Sequence, residues 1–295
     1  MVEHDIWSKW LLESRFGKHP DLTYLKGLRD KVLENAKLMG DETLLDVGAG
    51  DGLIAFGALE HLSPSGRVIL ADISPPLLEQ ARSIAERMNI LDRCQFIQAS
   101  ADNLSCFPDD SIDVVTTRSV LIYVSDKLRA LCEFYRVLRP GGRISLFETV
   151  TLPQLRQRDE KWAGVGTSVY PTKDIEPISD LVTRFISGLD FSATKSMGTT
   201  DHVGYLHLCE QAGFTAADVE LHLATRRGSA DLDTLLSQSL NPHFPTPAEH
   251  IEQIFTPAER ERFITHLKTL AQRNTGVSRS SHVFIRATKS PAPSR

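Results

Sequence analysis

The stretch LLDVGAGDG, residues 44–52, decides the fold, because it joins an apolar run ending in a carboxylate to three glycines at alternate positions. The run TLLDV (43–47) predicts a buried strand, and LIAFGALEHL (53–62) has the spacing of a helix. Glycines at a strand-to-helix turn let a ligand approach the backbone closely. Phosphate is a common ligand of such turns, so the rest of the chain has to decide which ligand binds here.

Strands and helices alternate on the C-terminal side of this turn. Apolar runs predict strands over 67–73, 94–99, 112–118 and 143–150, and helical periodicity covers 75–88 and 125–138. Further strands are predicted over 216–226 and 281–289, and two helices over 5–16 and 21–39 precede the first strand. This alternation is typical of an α/β protein with a doubly wound, mainly parallel sheet.

Two copies of TPAE mark helix starts between the last two predicted strands. Thr246 and Thr256 are suited to cap a helix, with proline at the first helical position. Glu249 and Glu259 follow three residues after each threonine, where a glutamate can bond back to the capping amide. The sequence therefore predicts two capped helices in this insertion.

Composition and charge exclude several classes of function. The net charge of −5 disfavours a general nucleic-acid binder, and no apolar stretch is long enough to span a bilayer. The N-terminus lacks the pattern of a secretion signal. The four cysteines show no C-x-x-C spacing. We therefore expect a cytoplasmic protein with reduced thiols, no metal site, and no nucleic-acid or membrane partner.

The glycine spacing disfavours a dinucleotide. Dinucleotide-binding turns follow the pattern G-x-G-x-x-G, whereas this chain has Gly48, Gly50 and Gly52, with Leu53 where the third dinucleotide glycine would stand. Two carboxylates are better clues to the ligand. Asp46 ends the first predicted strand, where it can meet an ammonium group, and Asp72 ends the second, where a carboxylate commonly holds a ribose diol.

Four motifs in order carry a resemblance to a known family. They are LLDVGAGDG (44–52), ILADIS (69–74), DVVTTRSVLIYV (113–124) and VLRPGGRISLFE (137–148). Together they resemble the class I S-adenosylmethionine-dependent methyltransferases, particularly the branch of ubiquinone and small-molecule methyltransferases. The resemblance implies a Rossmann-like, seven-stranded sheet with an antiparallel last strand and a helical cap. It also implies S-adenosyl-L-methionine as the cofactor.

The resemblance also implies which residues hold the cofactor. Ile73 would join Asp72 at the ribose and adenine, and Ala101 would contact the ring through its amide. Where the family often has GDAE the chain reads ASAD (99–102), so either Ser100 or Asp102 would meet the adenine amino group. The methionine portion would be lined by Asp46, Gly48, Ala49, Gly50 and Gly52.

Methyl transfer needs no fixed catalytic residue, because the reaction depends mainly on alignment and on excluding water. Arg118 and Tyr123 follow the fourth predicted strand, at the ligand-binding edge of the sheet, and His202 lies near the predicted cap. Arg118 either contacts cofactor or substrate or forms a surface ion pair, and Tyr123 either packs against the cofactor or transfers a proton. Glu148 either lines the pocket or is a buried ion-pair partner.

These observations predict transfer of a methyl group to oxygen, nitrogen or carbon of a small organic acceptor, including a natural product or peptide. The alternatives are a cofactor-binding enzyme that does not methylate, a non-catalytic binding protein, and an NAD-dependent dehydrogenase. The expected organisation is N-terminal helices forming a lid or packing layer (1–40), a cofactor-binding core (41–150), a cap insertion (151–200), a core helix and sixth strand (201–227), a helical cap insertion (228–280), the last strand (281–289) and a disordered tail (290–295).

Overall fold

A computed structural model describes residues 5–16, 22–155, 160–162, 168–190, 197, 199–228, 232–237, 239 and 242–291. Of the tail predicted as disordered, residues 292–295 lie outside this part of the chain. The strands are β1 (Thr43–Val47), β2 (Arg67–Asp72), β3 (Cys94–Gln98), β4 (Ile112–Arg118), β5 (Leu138–Thr149), β6 (Glu160–Trp162), β7 (Ser168–Pro171), β8 (Ala216–Arg227) and β9 (Val277–Thr288).

The strands form one sheet in the order β3-β2-β1-β4-β5-β9, with β8 pairing with β9 on the far side. Strands β1 to β5 are mutually parallel, and β9 runs antiparallel to β5 and β8. The predicted doubly wound fold with an antiparallel last strand is confirmed. A short hairpin of β6 and β7, which the sequence analysis did not predict, extends the described sheet to nine strands by pairing with the start of β9.

Helices cover both faces of the sheet, so its central strands are buried on both sides. Strand β1 is buried over its last four residues, as expected of a central parallel strand. The helices are α1 (Ile6–Phe16), α2 (Leu22–Ala36), α3 (Leu53–Ala58), α4 (Pro75–Arg87), α5 (Lys127–Val137), α6 (Thr172–Ile175), α7 (Ser179–Ser187), α8 (His202–Gln211), α9 (Leu232–Ser237), α10 (Pro247–Ile254) and α11 (Pro257–Arg273).

The helix predicted over 53–62 ends earlier than expected. Beyond Ala58 the amides of Glu60 and His61 bond three residues back instead of four, so the backbone tightens into turns. Both TPAE segments carry the predicted capping boxes: Thr246 and Thr256 accept the amides of Glu249 and Glu259, and the glutamates bond back. Among the described residues, no helix combines the length and apolar character that a bilayer crossing requires.

The helices outside the alternating core form a body with a hydrophobic cluster of its own. Phe185 of α7 stacks on Phe263 of α11 with ring centroids 5.9 Å apart, and Ile175 and Leu270 are buried beside them. Helix α2 packs against the sheet instead, where the Ser145 hydroxyl donates to the Val32 carbonyl at 2.7 Å. The two predicted N-terminal helices thus differ in position. Helix α2 packs on a face of the sheet, and α1 lies at the edge where the parallel strands end.

Candidate active site

A cavity of about 1020 Å³ opens at the carboxyl ends of the parallel strands, where doubly wound folds bind ligands. Eleven of the residues singled out from the sequence line it: Asp46, Gly48, Ala49, Gly50, Asp72, Ile73, Ser100, Ala101, Asp102, Arg118 and Tyr123. Three do not, namely Gly52, Glu148 and His202. Trp7 and Trp10, from the N-terminal segment predicted as a lid or packing layer, also line the cavity. Further lining residues that the sequence did not reveal include Leu11, Val120, Ile122, Thr149, Thr151, Met197 and Phe244.

The glycine loop keeps its amides bonded within the protein. The amides of Gly48 and Ala49 both donate to the Ala71 carbonyl, at 2.7 and 3.1 Å, and the Gly50 amide donates to Asp72 at 2.8 Å. A diphosphate at this loop would therefore find these three donors already engaged. This geometry counts against the dinucleotide alternative.

The positions of Gly48 and Gly52 show why glycine is needed in the loop. Gly48 has φ +66°, and a Cβ built there would lie 2.3 Å from Cγ2 of Val120. Gly52 has φ +88° and supports the start of α3, with Phe56 lying where its side chain would be. Gly52 therefore shapes the turn without facing the cavity, whereas Gly48 lets the loop that follows β4 approach the loop that follows β1.

Asp46 is a buried carboxylate at the floor of the cavity. It accepts the Thr116 hydroxyl at 2.9 Å and the Ala55 amide at 3.2 Å. Burial raises the pKa of Asp46 to about 7, against the opposing effects of these hydrogen bonds and the charge of Arg118. A cationic group beside Asp46 would favour its ionised form, so the site suits an ammonium ligand.

Asp72 links the glycine loop to the start of α4. One oxygen accepts the Gly50 amide and the other accepts the Ser74 amide at 2.9 Å. The Ser74 hydroxyl in turn hydrogen-bonds Asp5, the residue that caps α1. Burial raises the pKa of Asp72, although both amides oppose this shift. Each carboxylate oxygen keeps a second acceptor site, which leaves Asp72 able to accept hydroxyl groups.

The segment after β3 brings the two candidate adenine contacts together. The Ser100 hydroxyl donates to the Asp102 carboxylate at 2.5 Å, and the Ala101 side chain is buried between them. Because a hydroxyl oxygen that donates its proton can still accept a hydrogen bond, both Ser100 and Asp102 can accept one from an amino group. Ile73, 47% exposed, also lines the cavity.

Glu148 fixes the loop that follows β4, a role that the sequence did not reveal. This fully buried carboxylate accepts the amides of Val120, Leu121 and Ile122 at 2.9, 2.9 and 3.1 Å. It accepts the Thr117 hydroxyl as well, at 3.3 Å. Both earlier interpretations of Glu148 need correction, since it does not line the cavity and its hydrogen bonds go to the loop. In the sequence, the only feature that pointed to Glu148 was the position of an acidic residue at the end of an apolar strand.

The loop held by Glu148 carries the aromatic wall of the cavity. The Tyr123 ring lies edge-on to Trp7 of α1 with centroids 5.0 Å apart, and Trp7 lies edge-on to His243 at 5.6 Å. Trp10 of the same helix donates its indole N–H to the Ser239 carbonyl at 2.8 Å. Helix α1 is thereby joined to both the core and the insertion after β8.

The candidate catalytic residues differ in position. Arg118 lines the cavity and its charge favours ionisation of Asp46. Burial, reinforced by the charge of Glu148, raises the pKa of Tyr123 to about 12, so the phenol keeps its proton at neutral pH. His202 is the first residue of α8 and does not line the cavity. Within the described ranges no group of three histidine, cysteine, aspartate or glutamate side chains is arranged to hold a metal ion.

Comparison with known proteins reveals the family. A family model described as a methyltransferase domain matches residues 45–146. A ubiquinone/menaquinone biosynthesis C-methyltransferase of Escherichia coli O1:K1 is 35% identical over 177 residues, covering 60% of this chain and 68% of that protein. The chain belongs to the class I S-adenosylmethionine-dependent methyltransferases. A protein of the same name from Enterobacter sp. is 36% identical to this chain over 107 residues, which are 36% of this chain and 42% of that protein.

The solved structures agree with this fold. The YcgJ protein from Bacillus subtilis matches with a TM-score of 0.56 and 20% identity, covering 92% of this chain and all of the other. The cofactor of this family is S-adenosylmethionine, and the hydrogen-bond acceptors that line the cavity fit its polar groups. Asp46 offers a carboxylate to an ammonium group, and Asp72 offers acceptors to a diol. The loop between them has no side chain at Gly48 and Gly50.

Proposed function

We propose that this methyltransferase transfers the methyl group of S-adenosylmethionine to an uncharged, apolar aromatic acceptor, at a ring carbon. The observation that carries the proposal is the contrast between the two ends of one cavity. Its cofactor half is lined by Asp46, Asp72 and Asp102, and the described residues of its acceptor half are uncharged beyond Arg118. An acceptor bearing an ammonium group would find no acidic side chain among these residues, and an anionic acceptor would find only Arg118.

The cofactor half is assigned by hydrogen-bonding capacity. We assign the amino group of the methionine portion to Asp46, and the ribose hydroxyls to Asp72. We assign the adenine amino group to Asp102, because it lines the cavity beside Ser100 and a carboxylate is a stronger acceptor than a hydroxyl. Gly48 and Gly50 leave room for the methionine chain, and Ile73 covers one face of the adenine.

The acceptor half is assigned by its apolar and aromatic surfaces. Trp7, Tyr123 and Phe244 supply flat rings from three separate parts of the chain, and Ile122 and Met197 add aliphatic surface. Aromatic rings of this kind favour edge-on or offset contact with another ring. The aromatic acceptors implied by the name of the Escherichia coli relative, a ubiquinone/menaquinone biosynthesis C-methyltransferase, support the same class. The segments 151–200 and 228–280 form the proposed cap, to which Met197 and Phe244 belong.

When bound, the cofactor supplies a methyl group on a sulfonium, whose positive charge activates the sulfur as a leaving group. The chain contributes alignment, and well-oriented groups can lower a barrier by roughly 7–11 kcal/mol. A ring carbon of the acceptor forms the new bond, the sulfur keeps the electron pair of the broken bond, and the ring loses a proton to water. Tyr123 keeps its own proton and acts as a hydrogen-bond donor and a packing surface, so neither Tyr123 nor His202 is assigned as the base.

The experiment is methyl transfer from isotopically labelled S-adenosylmethionine to a panel of acceptors. Hydroquinones and phenols with apolar substituents are compared with amines, carboxylates, phosphate esters and short peptides, and products are located by mass spectrometry and NMR. We expect label on a ring carbon of an apolar aromatic member. Transfer only to a charged acceptor or a peptide would contradict the proposal. Binding of the cofactor with no transfer to any member would instead favour the non-methylating alternative.

A further inference from the structure

Strand β8 is a long open edge of the sheet. It pairs residue by residue with β9 from Ala216 to Arg227, and no other described strand lies beside it. Twelve extended residues span about 40 Å, so a long row of backbone donors and acceptors faces away from β9. Residues 223–227 are all exposed, and Leu223 is 53% exposed. Such an edge is a template for another strand.

The charges along β8 are divided between its two halves. Asp218 and Glu220 lie in the first half, and Arg226 and Arg227 lie in the second. An antiparallel second copy of β8 reverses this order, so each acidic half faces a basic half. Directly opposed charges of opposite sign stabilise an antiparallel pair, whereas like charges destabilise it.

The register follows from the side-chain alternation. Residues directly opposite in an antiparallel pair share a face of the sheet, so a two-fold axis has to pass through a residue position. An axis at Leu223 places this exposed leucine against its own copy and Glu220 against Arg226 of the second copy. The pairing then runs from Val219 to Arg227, which includes the most exposed part of the strand.

The contacts within the chain leave these charges available. Glu220 accepts His222 at 2.7 Å and lies 3.7 Å from Lys31, yet its side chain remains 43% exposed. Arg226 and Arg227 form no ion pair within the part of the chain that the structure describes. Arg226, which has no acidic partner among the described residues, gains one in the proposed pairing.

We infer that β8 is the interface of a homodimer, in which two copies join antiparallel through this edge and form one continuous sheet. The partner is a second copy of this chain, because the charges along β8 are complementary to those of an antiparallel β8. The cavity lies at the ends of β1 and β4, and two strands, β5 and β9, lie between β4 and the proposed interface at β8. The two sites of the dimer stay open, and the inference does not depend on the identity of the acceptor.

The test is charge reversal followed by sedimentation over a range of protein concentrations. We expect the unaltered chain to dimerise, and Arg226→Glu or Glu220→Arg each to weaken the dimer at least roughly tenfold, because two symmetric pairs become repulsive. The double variant restores both pairs and the dimer. A mixture of the two single variants also restores them, since Glu220 of one chain then meets Arg226 of the other.

Arg87→Glu is the matched control, because it makes the same charge change at the exposed end of α4. Thermal unfolding and binding of S-adenosylhomocysteine verify that each variant is folded. A monomer at all concentrations for the unaltered chain would overturn the inference. So would a dimer that both single reversals leave intact, because its interface would then lie elsewhere.

Discussion

The two halves of the cavity are built in different ways. The cofactor half comes from short stretches around β1 and β2, where Gly50 and Asp72 are joined by one direct hydrogen bond. The acceptor half is assembled from Trp7, Tyr123 and Phe244, which are far apart in the sequence. In the proposed function, cofactor binding therefore depends on local motifs, and selection of the acceptor depends on surfaces that only the folded chain brings together.

The halves meet where Val120 lies on Gly48, and this contact gives the largest expected effect. Gly48→Ala places a methyl group against Val120 and imposes a left-handed backbone on alanine. We expect a loss of about 2–4 kcal/mol in the free energy of unfolding, from backbone strain and overpacking together. Denaturant unfolding measures it. Adding Val120→Ala should recover only the overpacking part, and full recovery would show that the backbone conformation costs nothing.

Asp72→Ala tests the cofactor half by itself. A hydrogen bond to a charged group is worth about 1.5–3 kcal/mol, so the loss of one such bond to the ribose should weaken S-adenosylhomocysteine binding by roughly 10–150-fold. Isothermal titration calorimetry gives the dissociation constant. Asp41→Ala, at an exposed aspartate outside the cavity, is the control. Unchanged affinity in Asp72→Ala would refute the ribose assignment.

Trp7→Ala tests the acceptor half. Loss of the edge-on contact with Tyr123 should lower transfer to the preferred aromatic acceptor roughly three- to tenfold, mainly by raising KM. The affinity for S-adenosylhomocysteine should change less than the acceptor KM. Steady-state kinetics compares this variant with Tyr24→Ala, an exposed aromatic on α2 that is outside the cavity. An equal loss of methyl transfer in both variants would show that Trp7 has no specific role in binding the acceptor.

Glu148→Gln tests the support of the loop that follows β4, and its effect depends on pH. Burial raises the pKa of Glu148 from its usual 4.5 to about 7. Between these values the carboxyl is ionised in the unfolded chain and protonated in the folded one, so its contribution to stability falls as pH rises. The stability of the glutamine variant relative to the unaltered chain should therefore increase from about pH 5 to pH 7. A difference that is constant with pH would contradict this role of Glu148.

Local sequence was sufficient for β1, β4 and the two TPAE helices. The strands predicted over 43–47 and 112–118 are observed with the same bounds, and both capping boxes form. These features depend on neighbours within about four residues, so the pattern of side chains specifies them. The β6–β7 hairpin pairs with the start of β9, a segment far away in the sequence, and the pattern did not specify that contact.

The sequence by itself determined the alternating fold, the glycine turn and the placement of Asp46 and Asp72 at strand ends, because period and turn chemistry are local properties. Tertiary structure alone decided that Glu148 holds the loop after β4, that Gly52 supports a helix instead of the cavity, and that Trp7 meets Tyr123. These outcomes depend on which surfaces lie opposite one another after packing. A linear pattern specifies which residues share a face, but the fold specifies what that face touches.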